Sequence, residues 1–108
     1  MNKNQNRVGK MKDKRQIVRA VELATGVTLA DLRSQRVGEM KRFARAIFLY
    51  LCRQNNIPAT EAGKHIARTR QTALDLLADA HCFLETENRD FAYYLSITSN
   101  FLADDEPH

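Results

Sequence analysis

The run Arg68-Thr69-Arg70-Gln71-Thr72 holds five side chains that donate or accept hydrogen bonds, and none of them is acidic. Their chemistry suits the edges of base pairs: an arginine can bridge guanine O6 and N7, a glutamine can pair with adenine, and a threonine can touch a thymine methyl or donate to phosphate. A second basic run comes earlier, with Arg36, Lys41, Arg42 and Arg45. On a helix, positions 41 and 45 stand one turn apart and 42 lies beside them, so the spacing sends all three cations toward one side while Phe48 and Leu51 turn inward. Lys64 adds a cation between the runs.

Charge along the chain agrees with that chemistry. Residues 1–70 carry sixteen Lys or Arg against five acids, a net of +11, whereas residues 71–108 carry one Arg against eight acids, a net of −7. A domain with this split offers a positive face to a polyanion and turns a negative face away, which raises encounter rates with nucleic acid. Double-stranded DNA is therefore the expected partner. The few aromatics fall at core positions of the helical pattern and leave no stacking platform for single strands.

The elements that would position these residues are all helical. Lys14 to Thr25 has Ile17, Val18, Val21 and Ala24 at helical spacing, between an N-cap at Asp13 and a stop at Gly26. Thr28 and Asp31 form a capping-box start to a short second helix containing Leu29 and Leu32. From Glu39 to Asn55 the apolar residues wrap more than half the circumference, which predicts the central helix. Pro58 opens a short fourth helix, about 59–66, and Thr69 caps a fifth, from Arg70 to about Glu85, with Ala73, Leu74, Leu77, Ala78 and Phe83 or Leu84 facing the core. Asp90 is the candidate cap of a last helix with Phe91, Tyr94, Leu95, Thr98, Phe101 and Leu102. No strand pattern competes. The expected fold is all-α, five to six helices over residues 14–103 with an embedded helix-turn-helix, a flexible basic arm over residues 1–13 and an acidic tail over 104–108. In that motif the second helix enters a major groove with its N-terminus, so Arg68 to Thr72 would face bases and phosphates.

Other classes find little footing. His65 and His81 fall on different helices, and no Ser or Cys has a paired base at a recognisable spacing, so no catalytic residue is expected. Cys52 and Cys82 lack metal-ligand spacing and sit in apolar patterns, which predicts two buried reduced thiols and neither metal nor cofactor. With no apolar run near the roughly 18 residues a membrane span needs, the protein is expected in the cytoplasm, associated with the nucleoid. A rival reading keeps the helix-turn-helix as scaffold and uses the acidic C-terminal helices to bind a basic protein partner.

Three blocks occur in a telling order: Val27-Thr28-Leu29-Ala30-Asp31-Leu32; the basic segment Ser34-Gln35-Arg36 through Arg45, followed by Ala46-Ile47-Phe48-Leu49-Tyr50-Leu51; and Glu61-Ala62-Gly63-Lys64 leading into Arg68-Thr69-Arg70-Gln71-Thr72-Ala73. In order and near-intact spacing, residues 16–102 resemble the C-terminal DNA-binding domain of the bacterial replication initiator DnaA, a helix-turn-helix of the Trp-repressor kind. The resemblance implies base and phosphate contacts for Arg68 to Thr72, and backbone and minor-groove contacts for the arginines between Arg36 and Arg45. Arg68, Thr72 and Arg45 keep the family type. Thr69 stands where the family has Asp, Arg70 where it has His and Gln71 where it has Thr or Ser, and the turn before them is one glycine shorter. These departures keep donors and remove an acid, so DNA binding is implied but the family's usual recognition box is not. The chain contains no G-x-x-x-x-G-K-[ST], so no ATPase step is expected of it, and the resemblance implies a stand-alone relative of the module: a small regulator of replication or transcription, a competitor for initiator sites, or a part of a phage or mobile element.

Overall fold

The structure is a computed structural model that describes residues 11–104. Among the described residues there are six helices and no strand: α1 (Lys14–Thr25), α2 (Leu29–Arg33), α3 (Glu39–Gln54), α4 (Ala59–His65), α5 (Arg70–Glu85) and α6 (Arg89–Asp104). None is long and apolar enough to cross a membrane.

Local chemistry fixes where these helices start and stop. The Asp13 carboxylate accepts from the Gln16 N–H while the Gln16 side chain accepts from the Asp13 N–H, and Gly26 closes α1 in the left-handed region at φ 78°. Thr28 and Asp31 make the same reciprocal box at the start of α2. The N–H and hydroxyl of Thr28 hold the Asp31 carboxyl below the usual carboxylate range. Thr69 Oγ1 accepts from the Thr72 N–H and opens α5. For α6 the capping oxygen belongs to Asn88, which accepts from the Phe91 N–H at 2.9 Å; Asp90, the candidate cap in the sequence, lies one residue inside the helix.

The core centres on α3, of which Phe43, Ala44, Ala46, Ile47, Phe48, Leu49, Leu51 and Cys52 are all buried. Helices α1, α2, α4 and α5 pack around it, and α6 lies mainly along α1. Three sequence expectations shift by rotation about a helix axis. The buried stripe of α5 is Ala73, Leu76, Leu77 and Ala80, which leaves Ala78 exposed and Leu74 half-buried. On the same helix Cys82 falls outside the stripe and is exposed, so only Cys52 is the buried thiol, with burial pushing its pKa up to about 12. Phe101 of α6 is likewise exposed, although Phe91, Thr98 and Leu102 are buried. Of the arm expected over residues 1–13, residues 1–10 lie outside the described residues. Lys12 is buried and donates its N–H to Asn55 Oδ1, so the anchored chain begins earlier than the sequence pattern places it. The tail beyond Asp104 also lies outside the described residues.

The α4–α5 corner is tight because of Gly63. A Cβ on this buried residue would stand 3.1 Å from Ala73 Cβ, 3.1 Å from the Arg68 carbonyl oxygen and 3.2 Å from that of Thr69. Two of those neighbours are backbone, and both are tied down: the Arg68 N–H donates to Gly63 O at 2.8 Å, and Thr69 O accepts from Ala73 N–H. Gly63→Ala should therefore lower unfolding free energy by about 1 kcal/mol, overpacking outweighing the gain in helix propensity. Urea denaturation measures it, and a stabilised variant would show that the corner has room to open.

Candidate nucleic-acid interface

Helix α4 ends at His65, and the chain turns through Ala67, a non-glycine residue at φ 59°, before α5 begins. The Ala67 N–H donates to Lys64 O and the Arg68 N–H to Gly63 O, so the last carbonyls of α4 are satisfied inside the turn. This corner presents the N-terminus of α5 to solvent: Thr69, Arg70 and Gln71 are exposed and Thr72 is half-buried. Arg70 and Lys64 have no side-chain hydrogen bond or ion pair among the described residues. Thr69 is occupied as the cap, and Gln71 Nε2 donates to Asp75 Oδ1 at 3.1 Å.

The loop between α2 and α3 lies against this corner. Arg68 stitches the two together, donating through Nη2 to Ser34 O at 2.6 Å and through Nη1 to the carbonyls of Arg33, Ile66 and Ala67 at 3.2–3.3 Å. Arg33 returns the contact, its Nε donating to His65 O at 2.8 Å. Arg33 and Ser34 are absent from the sequence-derived set, because nothing in the sequence reports that a loop carbonyl will face a guanidinium. The loop itself exposes Arg36 and, at 87%, Val37. Gly38, at φ 151°, then takes the chain into α3 through a conformation that a side chain would strain. A cleft of about 430 Å³ runs between this loop and α5, lined by Val37, Gly38, Glu39, Arg42, Arg45 and Leu76.

The three α3 cations do not leave on one side. Arg45 is only 6% exposed. Its Nε donates to Leu32 O at 3.1 Å and its Nη2 to the carbonyls of Asp31, Ser34 and Arg36 at 2.9–3.0 Å. Burial, and then the nearby Arg68 cation, lowers its pKa from the usual arginine value; Asp31 opposes this, and the guanidinium stays charged. Arg42 turns the other way, toward the middle of α5, with its guanidinium 5.1 Å from the Phe83 ring centroid and Nε 4.0 Å from Asp79 Oδ2. Lys41 is half-buried and close enough to Asp31 to favour that carboxylate. Thus Arg36, Lys64, Arg68, Thr69, Arg70, Gln71 and Thr72 belong to the corner and its adjoining loop, Lys41 stands behind them, Arg45 supports them from within and Arg42 points elsewhere.

His65 packs under the corner rather than on it. Its ring stacks on Phe48 at 5.9 Å and 22°, and its buried Nε2 has no hydrogen-bond partner. Burial, followed by the cations of Arg33, Lys14 and Arg15, lowers its pKa. The folded chain therefore holds His65 neutral where the unfolded chain, near pH 6.5, already takes up a proton. The stability this contributes is fully present above about pH 6.5 and declines as the pH falls toward the folded-state value. Urea midpoints at pH 7.5 and pH 5.5 should show that decline in the wild type and a smaller one in His65→Gln; equal declines would remove His65 as its source.

Compared with protein-family profiles, with curated proteins and with solved structures, the chain matches none.

Proposed function

We propose that this chain is a non-enzymatic double-stranded DNA-binding protein in which α4 and α5 act as a helix-turn-helix, with the exposed start of α5 reading the major groove. The observation that carries this reading is the stitching of the two basic stretches at one corner, where Arg68 joins the α2–α3 loop to the nose of α5. There Arg36, Lys64 and Arg70 stay exposed, and the cap at Thr69 takes the amide of Thr72 but not those of Arg70 and Gln71. Amides at a helix start together with loose cations suit phosphate oxygens, and the side chains between them suit base edges. The charge split and the resemblance to the DnaA C-terminal domain point the same way. On this reading the protein works at the nucleoid, in control of replication or transcription.

The test is salt dependence. With Arg45 spent on loop carbonyls and Arg42 on Asp79, Arg36, Lys41, Lys64 and Arg70 remain to neutralise phosphate. The slope of log affinity for duplex DNA against log salt should then be about −4, following roughly −0.9 per phosphate. No measurable duplex binding at low salt would overturn the proposal in favour of a protein-directed role for the acidic helices.

A further inference from the structure

We infer that Gln71 reads adenine at one position of a bound duplex and that Asp75 is the positioning residue that fixes which way round its amide faces. This rests on the DNA-binding reading of the α5 start. Gln71 and Asp75 are both exposed and lie one helical turn apart, joined by the 3.1 Å bond from Gln71 Nε2 to Asp75 Oδ1.

The chemistry of the pair fixes its polarity. An ionised carboxylate only accepts, so the nitrogen end of the amide must face Asp75; the flipped amide would set oxygen against oxygen. Asp75 has no cation competing for it, since the ion pairs among the described residues are Lys14 with Glu61 and Arg42 with Asp79. One N–H of Gln71 is thereby committed, while its Oε1 and its second N–H stay free, an acceptor and a donor side by side. Adenine presents the complement in the major groove, the N6 donor beside the N7 acceptor. Guanine offers two acceptors there, thymine an acceptor and a methyl, and cytosine a donor without an adjoining acceptor. Holding the amide beforehand also lowers the ordering cost of that contact.

The experiment selects bound duplexes from a randomised pool and then titrates the preferred duplex, its single-position variants and a random duplex. Wild type, Gln71→Ala, Asp75→Ala and Asp75→Asn are compared. The wild type should prefer adenine at one position by roughly ten- to a hundredfold. Gln71→Ala should lose that preference, its affinities for the preferred duplex and for the variants at that position becoming equal. Asp75→Ala should lose most of it. Asp75→Asn should fall between wild type and Asp75→Ala, since its amide can accept from Gln71 Nε2 but can equally donate to Oε1 and so no longer dictates which way the Gln71 amide faces; both Asp75 variants remove the same negative charge, so their difference reports the hydrogen bond alone. Duplex binding by Gln71→Ala with unaltered base selection would overturn this inference and leave the proposed function standing. So would Asp75→Ala selecting as the wild type does. Failure of the wild type to bind any duplex would overturn both.

Discussion

Replacing Arg45 by Met should lower the free energy of unfolding by about 2–4 kcal/mol in the absence of any ligand, because each buried acceptor left without its donor costs roughly 1–3 kcal/mol. Met keeps an unbranched stem in the space but donates nothing. The carbonyls of Asp31, Leu32, Ser34 and Arg36 would each lose their guanidinium. Some can rehydrate from the loop side, but Nε and its acceptor on Leu32 are buried together, and that carbonyl cannot. Arg45→Lys should recover less than half of the loss, because a point ammonium cannot span acceptors arranged around a planar fork. A cation whose task was to meet phosphate would behave differently, since its removal would leave the stability of the free protein within about 0.5 kcal/mol of wild type. Urea denaturation separates the two outcomes, and a loss below 1 kcal/mol would return Arg45 to the surface set.

The contrast between Arg45 and its neighbours marks where the sequence stops being informative. Helix limits are local chemistry: Asp13 with Gln16, Thr28 with Asp31, Pro58 and Thr69 each place an end within a few residues, and the structure has helices there. The side on which a cation leaves a helix is not local. Arg42 faces Asp79, thirty-seven residues on, and Arg45 faces carbonyls of a loop whose path depends on how α2 meets α3. On a helix buried around most of its circumference, spacing alone could not say that the polar position at 45 was lined with acceptors. The α5 stripe illustrates the same limit more mildly. Ala73, Leu74, Leu77 and Ala78 make as good a helical face as Ala73, Leu76, Leu77 and Ala80, and the choice between them is made by what α5 packs against rather than by its own spacing. The start of α5 was legible because its cap is local, the Thr69 hydroxyl accepting from the Thr72 N–H three residues on.

Phe91→Ala should cost about 3–5 kcal/mol, the usual range for truncating a buried phenylalanine. The residue is fully buried and anchors α6 to the rest of the core through a trio of rings: its centroid lies 4.9 Å from that of Phe83 on α5 and 5.9 Å from that of Phe43 on α3, with Phe43 and Phe83 themselves 5.2 Å apart. Edge-on and tilted ring pairs add stability beyond buried area, so losing two of them puts the expected value in the upper half of that range. For a domain of this size the melting temperature should fall by roughly 15–25 °C. Phe91→Leu, which refills most of the space but restores no ring pair, should cost about 1–2 kcal/mol. The trio stands at the far end of α5 from Arg70, about 20 Å along the helix at 1.5 Å per residue. At a temperature where the variant is still folded, its affinity for duplex DNA should therefore match that of wild type. A folded Phe91→Ala protein with weakened duplex binding would mean instead that α6 helps to hold the nose of α5 in place, and the reading corner would then extend through the whole length of the helix.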